Sequence, residues 1–144
     1  MIGEAVWTAL TTACEHAYPD EACGWVADRA PASRGVTGPV RAATGGARGR
    51  FSFSDDDLLA FIAATRGSMP PRLLFHSHPD GDATLSAVDR AALAPAGVVL
   101  HPLPHLVIAV AGARAHRATL YTWQAGAPVP IACFHRASHG WTCS

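Results

Sequence analysis

The sequence carries no excess charge of either sign and no long apolar run. Its 144 residues contain 11 Lys plus Arg and 11 Asp plus Glu, a balance that excludes the electrostatic footprint of a protein binding nucleic acid or an anionic membrane. No segment approaches the roughly 18 consecutive apolar residues of a membrane span. The N-terminus also lacks the basic start and apolar stretch of a signal peptide. We therefore expect a cytoplasmic protein with no nucleic-acid or membrane partner.

Cysteine pairs are also absent, because no CxxC spacing occurs. The four cysteines are scattered at Cys14, Cys23, Cys133 and Cys143. This disfavours a four-cysteine zinc site, and a cytoplasmic chain is expected to keep them reduced. Hydrophobic residues make up 49% of the sequence, too large a share for disorder. The length suits one domain over residues 1–144, with a tail at 135–144 that is either mobile or docked onto the domain.

Hydrophobic periodicity and turn residues predict nine elements in the order α, β, β, α, β, α, β, β, β. The predicted helices cover residues 3–17, 54–66 and 86–94, and the predicted strands cover 22–28, 36–43, 72–75, 105–110, 116–123 and 129–134. This order indicates an α+β or mixed α/β sandwich with a mostly antiparallel sheet.

The second predicted helix has a distinct start. Ser54 can cap it, and Asp55–Asp57 fall in the first turn, where carboxylates complement the helix dipole. We prefer this explanation to a metal cluster built from the three aspartates. The core face of this helix is expected to carry Leu58, Leu59, Phe61 and Ile62.

The segment before this helix is rich in Gly, Ala and Arg. We expect a mobile loop at Gly45–Arg50, whose Arg48 and Arg50 are interpreted as solvated charges rather than groups that steer a substrate. After the loop, Phe51–Phe53 alternates apolar and polar side chains as a strand does.

The most informative stretch is His76-Ser77-His78-Pro79, followed by Ser86 and Asp89. Two histidines separated by one residue at a strand end leave the same face of the strand. Two imidazoles and a carboxylate form a three-ligand set for zinc with a fourth position open, which is the catalytic arrangement. The alternatives are that His-x-His is polar surface and that Ser86-x-x-Asp89 is a capping box. The second is compatible with ligation, because a helix starting at Ser86 presents Asp89 from its first turn.

A second element lies upstream, at Glu21-Ala22-Cys23-Gly24. Glu21 is a candidate general acid and base, which together with zinc and water would suit amide hydrolysis. Its alternative is a surface carboxylate, and chemistry alone does not separate it from the neighbouring Asp20. Ser86 has a hydroxyl that can hydrogen-bond the oxyanion of a tetrahedral intermediate. Gly24 suits a position where the backbone must approach something closely.

The remaining histidines have weaker patterns. His101 and His105 flank Pro102-Leu103-Pro104, and a loop or packing role is preferred for both over a place in the cleft near the metal.

Taken together, Glu21-x-x-Gly24, 55 residues ahead of His-Ser-His-Pro-x6-Ser-x2-Asp, resembles the JAMM/MPN metallopeptidases, in particular their small bacterial single-domain branch. The resemblance covers roughly residues 3–134. It implies an α/β/α-like sandwich with a curved sheet flanked by helices. It also implies one zinc per chain bound by His76, His78 and Asp89, with Glu21 as acid/base in preference to Asp20 and Ser86 as oxyanion stabiliser.

The function implied by this resemblance is hydrolysis of a peptide or isopeptide bond after the C-terminal Gly-Gly of a ubiquitin-like or β-grasp sulfur-carrier protein, by attack of a zinc-bound water. One alternative is a non-cleaving binding module for a ubiquitin-like or phage-structural partner, and another is a metal hydrolase of an unrelated small substrate. The segment HSHPDGDATLSAVD also resembles the RadC-like branch, which is linked to DNA. The Glu-x-x-Gly element and the neutral charge argue against that branch.

Overall fold

The computed structural model describes residues 1–45 and 52–144 of the chain. The α-helices in these ranges are α1 (Glu4–Ala17), α2 (Asp55–Thr65) and α3 (Ala87–Leu93). The strands are β1 (Cys23–Ala27), β2 (Val40–Ala42), β3 (Pro71–Pro79), β4 (His105–Ala111), β5 (Arg114–Gln124), β6 (Ala127–Ala137) and β7 (Gly140–Cys143). Short 3-10 helices lie at Ala32–Arg34 and Pro95–Gly97. No helix in the described ranges is long and apolar enough to cross a bilayer.

All seven strands form one curled sheet in the order β2-β1-β3-β4-β5-β6-β7. Strands β3 and β4 are parallel, and the other neighbouring pairs are antiparallel. The chain crosses from β3 to β4 through α3, as a parallel pair requires a crossover connection. The predicted α+β class with a curved, mostly antiparallel sheet is therefore confirmed.

Helix α1 covers one face of the sheet. Its buried stripe is Val6, Trp7, Leu10, Thr11 and Cys14. This stripe packs in one apolar cluster with alternate residues of the central strands, namely Val26, Leu73, Phe75, Leu106, Ile108 and Val110. Because side chains alternate along a strand, the residues between them face the opposite side of the sheet, where α2 and α3 lie.

The prediction that α2 has a four-residue core face was wrong. Phe61 is buried against Trp25 and Leu74, but Leu58 and Leu59 are 42% and 65% exposed. Ile62 is also exposed, at 39%. The reason is that α2 covers only the β1–β3 part of the sheet, so its apolar surface is wider than the surface available to bury it.

The start of α2 agrees with the prediction from the sequence. Ser54 caps the helix and forms a reciprocal capping box with Asp57. The carboxylate of Asp57 also accepts hydrogen bonds from the backbone N–H groups of Thr44 and Gly45. Burial raises the pKa of Asp57, but the hydrogen bonds from Ser54 and Thr44 outweigh it and hold the pKa below its ordinary value. Asp57 therefore has a structural role: its carboxylate joins the start of α2 to the backbone at Thr44 and Gly45.

Two interpretations fall wholly or partly outside the described residues. The first is the predicted loop at Gly45–Arg50: only Gly45 is among the described residues, and Arg48 and Arg50 are not. The second is the alternation at Phe51–Phe53, of which Phe51 is not described. Ser52 and Phe53 are described and belong to no strand.

The C-terminal residues are folded onto the rest of the chain. Strand β7 pairs with the end of β6, and Trp141 stacks on Trp7 of α1 with ring centroids 4.5 Å apart. The indole N–H of Trp141 donates a hydrogen bond to Oγ1 of Thr11 at 3.0 Å. The short β7 therefore joins the edge of the sheet to the first helix.

We expect Trp141→Ala to lower the free energy of unfolding by about 2 kcal/mol, because it removes a stacked, half-buried indole. Cys143→Ala, in the same strand but exposed, should change it by less than about 0.5 kcal/mol. Urea unfolding followed by circular dichroism measures both. Equal effects in the two variants would mean that β7 contributes no specific contact to α1.

Candidate metal centre

The two histidines of the His-Ser-His-Pro motif lie near the end of β3, in the middle of the sheet. His76 and His78 point to the face opposite α1, because they alternate with Phe75 and Ser77 along the strand. His76 is fully buried, and the side chain of His78 is 14% exposed. Their Nε2 atoms are 2.9 Å apart.

Asp89 reaches both histidines from the first turn of α3. Its Oδ2 atom lies 3.2 Å from Nε2 of His78 and 3.5 Å from Nε2 of His76. Burial raises the pKa of Asp89, but hydrogen bonding with the two imidazoles outweighs it, so the pKa lies well below its usual range. The carboxylate is therefore ionised at neutral pH.

The same carboxylate also completes a capping box. Ser86 caps α3 by accepting a hydrogen bond from the backbone N–H of Asp89, and Oδ2 of Asp89 accepts one from the backbone N–H of Ser86 at 2.7 Å. Asp89 thus completes the capping box of α3 and approaches the histidines with the same carboxylate. The capping hydrogen bond fixes the position of that carboxylate.

These three side chains could hold a metal ion. One ligand atom from each of His76, His78 and Asp89 lies within 4.8 Å of the others. Metal–ligand bonds of 2.0–2.1 Å in a tetrahedral geometry place ligand atoms about 3.3 Å apart. The observed separations of 2.9, 3.2 and 3.5 Å lie on both sides of this distance.

Each histidine makes a further contact through its Nδ1 atom. Nδ1 of His78 lies 2.9 Å from the backbone carbonyl oxygen of Asp82. Nδ1 of His76 lies 2.6 Å from Nε2 of His105. His105, for which a loop or packing role was preferred, is buried in the first position of β4 and contacts His76. His101 packs edge-on against Phe61.

Glu21 lies at the same site, two residues before the start of β1. It is 7% exposed and lines a cavity of about 360 Å³ together with His78, Ser86 and Asp89. Its Oε2 atom has no hydrogen-bond partner among the described residues. The pKa of Glu21 is raised to about 7, mainly by burial; the charge of His78 lowers it and that of Asp89 raises it by smaller amounts. The neighbouring Asp20 is exposed.

Ser77 and Gly24 fix the backbone that follows Glu21. Ser77 accepts a hydrogen bond from the backbone N–H of Ala22 at 2.8 Å, and its own backbone N–H donates to the carbonyl of Ala22. A Cβ atom at Gly24 would lie 2.0 Å from the carbonyl oxygen of Arg41 on β2, so a glycine is required for that close strand approach, as expected from the sequence. The role of Ser77 was not recognised in the sequence.

The buried carboxyl of Glu21 makes the stability of the metal-free protein depend on pH. The folded state raises the pKa from 4.5 to about 7, so between these values the folded chain binds a proton that the unfolded chain releases. The free energy of unfolding therefore falls as pH rises through this interval. The amide of Glu21→Gln does not titrate. As pH rises from 4.5 to 7.5, we expect the free energy of unfolding of this variant to increase by on the order of 2 kcal/mol relative to that of wild type.

Urea unfolding of the chelator-treated proteins at the two pH values measures this gain, with Asp20→Asn as the exposed control. A stability difference between Glu21→Gln and wild type that stays constant with pH would contradict the burial of this carboxyl.

A larger groove of about 630 Å³ lies on the other side of the sheet, between α1 and the β6–β7 hairpin. It is lined by Trp7, Glu15, Arg136 and Trp141 among others, and neither the histidine pair nor Asp89 reaches it. The smaller cavity is the candidate site because His78 and the buried carboxylates of Glu21 and Asp89 line it, and such clusters mark functional sites.

Comparison with known proteins gives a family match and one similar solved structure. The family model described as prokaryotic homologs of the JAB domain matches residues 3–125. No curated protein matches the chain. A solution structure of a protein from Salinibacter ruber is similar with a TM-score of 0.54 and 19% identity, over 99% of this chain and 87% of that one. At this identity the likeness shows the fold alone.

Proposed function

This chain belongs to the prokaryotic homologs of the JAB domain, and from that premise we propose that it is a zinc-dependent peptidase or isopeptidase. The proposed substrate is a ubiquitin-like or β-grasp sulfur-carrier protein, cleaved after its C-terminal Gly-Gly. The observation that carries the proposal is the cluster of His76, His78 and Asp89, of which His78 and Asp89 line the same cavity as the buried Glu21.

The donor set fits zinc better than the hard cations. Two imidazole nitrogens and one carboxylate oxygen are typical ligands of catalytic zinc, whereas magnesium and calcium prefer oxygen alone. The three side chains stand on two rigid elements, β3 and the capped start of α3. Both histidines also have an acceptor or partner at Nδ1, as zinc-binding histidines do. When bound, zinc supplies Lewis acidity and lowers the pKa of a water molecule.

Glu21 is assigned the proton transfers. Its carboxylate accepts a proton from the attacking water and delivers it to the leaving amine, and an acid with a pKa near the working pH is best suited to do both. In the metal-free protein the pKa of Glu21 is about 7. A dication held by the neighbouring ligands lowers that pKa, which favours the ionised form that accepts the proton.

Ser86 is assigned to the developing oxyanion. Its Oγ atom accepts the backbone N–H of Asp89 at 3.1 Å, so the hydroxyl hydrogen is left to donate toward the cavity that Ser86 lines. Hydrogen-bond donors placed where charge develops stabilise a transition state more than the ground state.

The borders of the cavity are compatible with a substrate tail that carries no side chains. Pro19, Pro79 and Val88 lie there beside Glu21, His78 and Asp89. A Gly-Gly tail can bring its backbone close to these residues without having to accommodate a side chain.

Removing and restoring the metal tests the proposal. We expect about one zinc per chain by elemental analysis, hydrolysis of a β-grasp protein that carries a C-terminal extension after Gly-Gly, loss of that hydrolysis after chelation and recovery when zinc is added. A matched substrate ending in Ala-Ala should be cleaved far more slowly. Cleavage that persists in metal-free protein would contradict the proposal.

A further inference from the structure

His105 is placed to act on the candidate metal centre through His76. It occupies the first position of β4, which pairs in parallel with β3, and its register partner is Leu74. Since residues two apart share a face, His105 stands on the same face as His76, on the neighbouring strand. Both imidazoles are fully buried or nearly so, at 0% and 1% exposure.

The short contact between the two rings requires a defined proton position. Nδ1 of His76 and Nε2 of His105 are 2.6 Å apart, and two nitrogen lone pairs cannot face each other at this distance. One of the two atoms must therefore carry the hydrogen and donate it to the other.

The contacts of Nε2 of His76 determine which of the two nitrogen atoms, Nδ1 of His76 or Nε2 of His105, carries this hydrogen. Nε2 of His76 faces Nε2 of His78 and Oδ2 of Asp89 at 2.9 and 3.5 Å. A metal-binding nitrogen carries no proton, so the proton of neutral His76 is on Nδ1 and His105 is the acceptor. His105 in turn carries its own proton on Nδ1.

We propose that His105 is a positioning residue for the metal. By accepting the Nδ1–H of His76, it fixes the ring orientation and the tautomer that present an unprotonated Nε2 to the ion. The inference rests on the metal site of the proposed function and is independent of the substrate.

The two histidine ligands differ in the kind of acceptor behind them. His78 is held by the backbone carbonyl of Asp82, which no substitution removes, whereas His76 is held by a side chain. A neutral imidazole orients His76 without placing a negative charge in this fully buried position, where an ionised carboxylate would be costly. His105 is thus the one of these two acceptors that mutation can delete.

Zinc affinity, measured by competition with a chromophoric chelator, tests the inference. We expect His105→Leu to weaken zinc binding about 10- to 100-fold and His105→Gln to restore most of the loss, because its amide oxygen can accept the same proton. His101→Leu, which removes a nearby histidine that packs on Phe61, should bind zinc as wild type does. Wild-type affinity in His105→Leu would overturn the inference.

A measurement on the wild-type protein decides the matter even if His105→Leu does not fold. Long-range proton–nitrogen correlation spectra of the zinc-loaded protein should show His76 protonated at Nδ1 and ligated at Nε2, and the reverse assignment would overturn the inference. A wild-type chain that binds no zinc would remove the proposed function as well. Tight binding in both wild type and His105→Leu, with cleavage intact, would remove only the role of His105.

Discussion

Glu21→Gln is expected to lower kcat for Gly-Gly cleavage by about 10³-fold while zinc remains bound at wild-type stoichiometry. The amide keeps the shape of the side chain but cannot accept the proton of the attacking water. Glu21 is not one of the three candidate ligands, which are His76, His78 and Asp89. In this variant the metal content should therefore stay at the wild-type value while kcat falls.

Asp20→Asn is the matched control for this prediction. Asp20 is adjacent in sequence but exposed, and it does not line the cavity that contains Glu21. We expect near wild-type turnover from it. Turnover in Glu21→Gln similar to that of Asp20→Asn would show that another group transfers the proton.

Asp89→Asn is expected to weaken zinc binding by more than about 100-fold, because loss of a direct ligand should exceed the 10- to 100-fold cost of removing a group behind one. The substitution also weakens the capping box of α3, so stability alone would not identify the cause. Zinc affinity by chelator competition and the free energy of unfolding of the metal-free protein should therefore be measured together.

The chain contains its own control for the capping contribution. Asp57 occupies the same position in the capping box of α2 as Asp89 does in that of α3, but it is not part of the histidine cluster. Asp57→Asn should lower stability by about 1 kcal/mol or more and leave zinc affinity unchanged. Equal losses of zinc affinity in the two variants would mean that Asp89 acts only through the fold.

The parts of the site that were predictable from the sequence depend on local geometry. His76 and His78 share a face because of strand alternation, and Asp89 is presented by a helix start that Ser86 marks. Such relations span a few residues and follow from backbone periodicity. The helix starts were predictable for the same reason, and the mostly antiparallel sheet followed from the order of helices and strands along the chain.

The parts that were missed depend on contacts between distant segments. His105 meets His76 only because β4 lies parallel to β3 in one particular register, and Ser77 meets Ala22 through the pairing of β1 with β3. Nothing in the spacing of the sequence specifies these registers. The exposed Leu59 has the same origin, since its burial depends on how much of the sheet α2 covers and not on the periodicity of α2 itself.

The central claim is tested most directly by intact-mass spectrometry of β-grasp proteins that carry C-terminal extensions. Each is incubated with zinc-loaded wild-type protein and, in parallel, with zinc-loaded Glu21→Gln. The account predicts a product whose mass ends at Gly-Gly, formed by wild type and absent with the variant. No cleavage by a wild-type protein that holds zinc, or equal cleavage by both proteins, would contradict it.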